Sequence, residues 1–144
     1  MRSASELARV VTGCRASLAA AALAALAVVG PASAADVYVI SNAEIAMTSE
    51  EVKEVFLGET QFRGSLKLQP IDNAGAQPDF LIAVMKMTGP KYSASWTKKA
   101  FRDGLNAPLL RATDIEVLNY VRNTSGAIGY TTSEPKGVHV VGKF

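Results

Sequence analysis

The chain has 144 residues, a formal net charge of +2, 49% hydrophobic and 19% charged residues, one cysteine and one histidine. That length suits one domain. The apolar fraction excludes a wholly disordered chain, and the modest charge argues against a nucleic-acid binder built on a basic patch. One cysteine excludes an intramolecular disulfide and a multi-thiolate metal centre, and one histidine removes most metal and triad arrangements.

The first 34 residues read as a leader. Arg2, Arg9 and Arg15 precede a small, apolar run from Leu18 to Val29. Gly30 and Pro31 then break a helix, and Ala32-Ser33-Ala34 has the pattern of a cleavage site. Basic region, short apolar region and small-residue exit are the three parts of a secretory signal peptide, expected to be cleaved after Ala34. The apolar run is shorter than the roughly 20 residues a membrane span needs. Cys14 lies in a lipobox-like setting but precedes the apolar stretch instead of following it, which argues against lipidation. The remaining residues, 35–144, carry 12 basic and 12 acidic side chains. No long-range field would steer an anion or a nucleic acid toward them. The expected location is periplasmic or secreted, with no membrane span after processing.

From residue 35 onward, strand and helix signals alternate. Val37–Ile40 is a continuous β-prone run ending in the turn signal Ser41-Asn42, as expected for a strand covered on both faces. Thr48 and Glu51 have capping-box spacing, Val52, Val55 and Phe56 recur at helical spacing, and Gly58 closes that helix. A linker through Phe62, Arg63 and Gly64 leads to Leu66–Ile71, which reads as one alternating strand with Pro70 near its end. Asp72–Gly75 is a loop, and Pro78 fits the first turn of a helix whose apolar face is Phe80, Leu81, Val84, Met85 and Met87, ending at Gly89-Pro90. Tyr92, Trp96 and Ala100 mark another helix, with Phe101 beside the same face and Lys98, Lys99 and Arg102 solvated. Thr113 and Glu116 suggest a second capping box, opening a helix through Ile115, Leu118 and Val121 that Ser125-Gly126 terminates. Ala127–Tyr130 and Val138–Val141 read as two final strands. This order predicts one layered α/β or α+β domain over residues 35–144.

Familiar catalytic patterns are missing. His139 is flanked by valines, without a recognisable nucleophile or carboxylate partner, and reads as an ordinary strand residue. No G-x-S-x-G elbow, Walker sequence, G-x-G-x-x-G or spaced metal cluster occurs. Glu50, Glu51 and Glu54 lie where a helix dipole favours acids. Two stretches remain. Asp72–Gln77 leaves a strand and enters a helix, where ligands of α/β folds often bind, or it is a plain βα turn. Gly126 suits a helix end and Gly129 a close backbone approach, so Ser125–Tyr130 reads as packing more than contact.

Taken together, several stretches resemble the substrate-binding proteins of phosphate ABC transporters. Glu54–Glu59 (EVFLGE) is similar to that family's FLG helix end, Trp96–Gly104 (WTKKAFRDG) to its W…F.G segment, and Ile115–Tyr130 to its stretch ending in GAIGY. The order and spacing hold over about residues 36–131. The resemblance implies a three-layer single lobe of the type 2 periplasmic-binding-protein kind, capturing phosphate or a related oxyanion for a transporter; the lack of a nucleophile–base pair argues separately against an enzyme, and no metal or cofactor is expected. Full members close two lobes over phosphate, whereas residues 35–144 cover about one. Members also carry an arginine and a Ser-Gly-Thr run where this chain has Asp72–Gln77. An open shelf with few cationic donors grips a dianion poorly, so phosphate binding is expected to be weak or lost. The shelf would comprise Ser41, Asn42, Asp72, Asn73, Gly75 and Gln77, with Ser41 and Asn42 on the same edge as the other βα loop. Arg63 or Lys67 could add charge. The alternative is a degenerate lobe that docks a periplasmic partner, and a homodimer could rebuild a cleft.

Overall fold

The computed structural model describes residues 35–144; the segment read as a signal peptide lies outside them. Seven strands and four α-helices follow in order: β1 (Tyr38–Ser41), α1 (Ser49–Phe56), β2 (Phe62–Arg63), β3 (Leu66–Lys67), β4 (Gln69–Asn73), α2 (Gln77–Phe80), α3 (Gly89–Asp103), β5 (Leu109–Arg111), α4 (Asp114–Asn123), β6 (Ala127–Thr131) and β7 (His139–Lys143). Five strands form one mixed sheet in the order β5-β4-β6-β1-β7, and β2 and β3 form a separate hairpin. β4 runs parallel to both β5 and β6, while β1 runs antiparallel to β6 and β7. No helix among the described residues is long and apolar enough to cross a membrane.

Alternation along the strands divides the interior into two clusters. Val37 and Val39 join Ile128 and Tyr130 in a core built with α1, α2 and α3. Ile40, Ile71 and Ala127 join Val117 and Val121 of α4 in a second core. Helices thus cover both sheet faces, as the continuous apolar run before Ser41 predicts.

The helix ends follow local chemistry. Thr48 and Glu51 form the reciprocal capping box, with Glu51 Oε2 accepting from the Thr48 N–H at 2.8 Å and Thr48 Oγ1 from the Glu51 N–H at 3.3 Å. Thr113 Oγ1 accepts from the Glu116 N–H, but the Glu116 carboxylate reaches one residue further back, to the Ala112 N–H. That cap is therefore only half of the expected box.

Several sequence expectations are corrected, among them the loop over Asp72–Gly75, whose first two residues belong to β4. Leu66–Ile71 is two strands in two sheets, with Leu68 buried between them. Pro70 is tolerated inside β4 because its neighbours engage successive halves, β6 at Gln69 and Pro70 and β5 from Ile71 onward. Gly89-Pro90 begins α3 instead of ending the preceding helix, since Pro without its N–H suits a first turn. That preceding helix continues as a π-helical turn over Leu81–Met85 and stops at Lys86, whose left-handed backbone (φ 53°) closes it. Phe101 and Ile115, expected on apolar faces, are 89% and 70% exposed. α4 packs instead through Val117 and Val121.

Gly129 is where α4 meets the sheet. A Cβ there would stand 2.7 Å from Val117 Cγ1 and 2.9 Å from Ile71 Cγ2, too close for the packed interior to absorb without displacement. Urea denaturation should find Gly129→Ala destabilised by about 1–3 kcal/mol; stability equal to that of the unsubstituted protein would show that α4 is not seated this closely.

Candidate functional site

Asp72 lies at the carboxyl end of β4, with 4% of its surface exposed. Its Oδ2 accepts a hydrogen bond from Tyr92 Oη at 2.9 Å, and its Oδ1 accepts from Tyr130 Oη at 3.0 Å. One hydroxyl comes from α3 and the other from β6, so the carboxyl pins a helix to the sheet. Tyr130 is held in turn by its ring, stacked on Phe80 at 3.8 Å between centroids and edge-on to Phe56 at 5.5 Å. Tyr92 is held by the stripe it shares with Trp96, whose Nε1 donates to the Phe56 carbonyl at 3.2 Å. That carbonyl also lies 3.4 Å from Tyr92 Oη.

Burial pushes the Asp72 carboxyl up to about 6, because a charge at this depth loses solvation that the two hydroxyl donors only partly replace. Burial, and then the neighbouring Asp72 charge, push the Tyr92 and Tyr130 hydroxyls well above the ordinary tyrosine value. Both remain protonated donors at physiological pH. Neither is an activated nucleophile.

Asp72 opens onto a cleft of about 470 Å³ walled by Tyr92, Trp96 and Thr97 of α3, with Gln77 and Asn106 beside it. No lysine or arginine lies among the described residues lining it, and Asp72 is the one side chain there that carries a charge at neutral pH. Arg63, considered as a source of positive charge, is bound to Glu51 at 2.9 Å and to the Ala46 carbonyl.

The six shelf residues do not form one surface. Asp72 and Gln77 share the α3 cleft. Asn73, fully buried, builds the turn that follows β4. Its Oδ1 accepts from the Gly75 and Ala76 N–H groups, and its Nδ2 donates to Asp114 Oδ1 and the Tyr130 carbonyl. Two of the N–H groups at this helix start, those of Gly75 and Ala76, are thereby occupied by the chain's own side chain. Gly75 is exposed within that turn.

Ser41 and Asn42 lie at the opposite end of the sheet. β1 is antiparallel to β6 and β6 is parallel to β4, so the end of β1 meets the start of β4, not its end. This overturns the expectation of a common edge. Asn42 Nδ2 donates to the carbonyls of Val121 and Arg122 at the end of α4, and Ser41 Oγ accepts from the Ala43 N–H. Both line a separate cleft of about 410 Å³ with Arg122, Gly137, Val138 and His139. His139 itself is exposed, as expected of an edge-strand residue.

Tyr92 and Tyr130 are the site residues that sequence reading passed over. Each stands at an apolar-stripe position and reads as core. The available signal was the hydroxyl, because a buried tyrosine needs a partner for it.

Neither a protein-family model nor a curated protein matches the chain significantly.

The raised Asp72 value ties stability to pH. The carboxyl titrates near its ordinary 3.8 when unfolded and at about 6 when folded, so the folded state binds the extra proton and stability falls as pH rises through that window. Comparison with Asp72→Asn isolates this contribution. The variant should gain on the unsubstituted protein by up to about 3 kcal/mol between roughly pH 4 and pH 7 in chemical denaturation. A difference that stays flat over that range would contradict the assignment.

Proposed function

We propose that the protein is an exported, non-enzymatic solute-binding-like protein, a three-layer α/β lobe related to the substrate-binding proteins of phosphate ABC transporters, in which phosphate binding is weak or lost. The observation that carries this reading is the charge of the cleft at the end of β4. Its buried polar group is a carboxyl, and no cation among the described residues lines the cleft to offset it. A phosphate dianion brought there would face a like charge and lose its hydration without donors to replace it. The position is nonetheless the one at which α/β folds bind ligands, beyond the carboxyl end of a parallel strand. On this reading the protein is periplasmic or secreted, residues 1–34 being its leader.

A second reading, a periplasmic protein-interaction module, draws on the sheet edge. β5 is three residues long and exposed throughout, with Leu109 and Leu110 each 59% exposed. β5 pairs with β4 on one side only, and the outer edge of a strand carrying leucines is a template for pairing with another chain, including a second copy. Sedimentation of the purified protein across a range of concentrations distinguishes the two. A dimer that Leu109→Glu, on the outer edge of β5 and outside the α3 cleft, returns to monomer accords with docking, and a monomer throughout accords with solute binding.

The leading reading predicts that calorimetric titration of the purified protein with inorganic phosphate gives no submicromolar binding. A one-to-one submicromolar isotherm from the monomer would contradict it.

A further inference from the structure

Resting on the solute-binding reading, we propose that the Asp72 cleft receives a small organic cation bearing an ammonium or guanidinium group, with Asp72 as its counter-ion. A carboxylate offers about four lone-pair positions, and the hydroxyls of Tyr92 and Tyr130 occupy two of them. Both donors are neutral, and no basic side chain among the described residues lines the cleft. A buried carboxylate without a cation is among the costliest arrangements in a protein interior. This one stands at the inner end of a cleft through which a cation can arrive.

The walls suit such a ligand. Tyr92 and Trp96 line the same cleft as the carboxyl, and aromatic rings attract ammonium and guanidinium groups through their quadrupoles. Ala100, Pro108 and Leu110 supply apolar surface for an alkyl chain, and Gln77 and Asn106 supply amides for a second polar end. The volume, about 470 Å³, falls within the range of small-molecule clefts. The groups facing the carboxyl are the Tyr92 hydroxyl from α3 and the Tyr130 hydroxyl from β6, both held protonated. Over the range tested, Asp72 therefore sets the charge of the cleft floor.

The test titrates the purified protein with n-butylamine, putrescine and agmatine, with the diol matching putrescine as a neutral control, and with inorganic phosphate. At least one amine should bind one-to-one and raise the melting temperature, with the diol and phosphate at least tenfold weaker. The amine affinity should fall about tenfold between about pH 7.5 and about pH 5, as Asp72 takes up its proton. Thr97→Arg, at an exposed position on the cleft wall, places a tethered guanidinium beside the site. It should abolish amine binding while the melting temperature of the free protein is kept, and Asp72→Asn should abolish it as well. Amines silent at millimolar concentration, a diol that binds as well as its diamine, or amine binding unchanged at the lower pH would each overturn the cationic ligand while leaving weak phosphate binding intact. Submicromolar phosphate binding would instead overturn the underlying solute-binding reading.

Discussion

Two buried hydrogen bonds, donated by Tyr92 and Tyr130 to the Asp72 carboxyl, tie three elements of the fold to one side chain. They fasten α3 to β4 and β4 to β6, and the ring of Tyr130 continues the connection into the aromatic core with Phe56 and Phe80. Trp96 extends it to the last carbonyl of α1. A carboxylate at this depth costs desolvation energy, and the surrounding structure holds it in place through groups whose positions are fixed by packing. Such a group sits in the molecule at a cost to stability, which makes Asp72 a candidate site as well as a tie between elements.

A second polar cluster on the same end of the sheet has the opposite character. Asp114 accepts from the Asn73 amide at 2.6 Å and from the Ser133 N–H at 3.0 Å. Partial burial works against its charge, but those hydrogen bonds outweigh it and hold its carboxyl below the ordinary value. Asn73 and Asp114 join the turns after β4, β5 and β6. Two carboxyls close together in the fold thus take different roles: Asp114 is satisfied internally, and Asp72 keeps unfilled acceptor positions beside an open cleft.

Much of the fold was legible in the sequence because local chemistry agrees with tertiary packing. The Val37–Ile40 run and the Thr48–Glu51 box are each decided within a few residues. β5 was missed because a three-residue edge strand, Leu109–Arg111, has too short a pattern to show a period. The break between β3 and β4 was missed because Leu66–Ile71 alternates smoothly, while its pairing partners change at Leu68. The candidate site was legible only in part. Asp72 and Gln77 do share one cleft, although Asp72 belongs to β4 instead of the loop after it, but Ser41 and Asn42 required the direction of β1 relative to β4, which no local pattern carries. Asn73 was assigned to a ligand because its side chain's capture of the Gly75 and Ala76 N–H groups is a matter of geometry, not of residue type.

The central claim is that Asp72 is a buried carboxyl with an elevated proton affinity at the floor of an accessible cleft. Carbon-13 NMR of side-chain carboxyls, with Asp72 assigned through its loss in Asp72→Asn, measures that directly. The account predicts that one aspartate resonance titrates with a midpoint of about 6, well apart from the exposed carboxyls, and that it is the one missing from the variant. An Asp72 resonance titrating near 3.8, the ordinary aspartate value, would contradict the account.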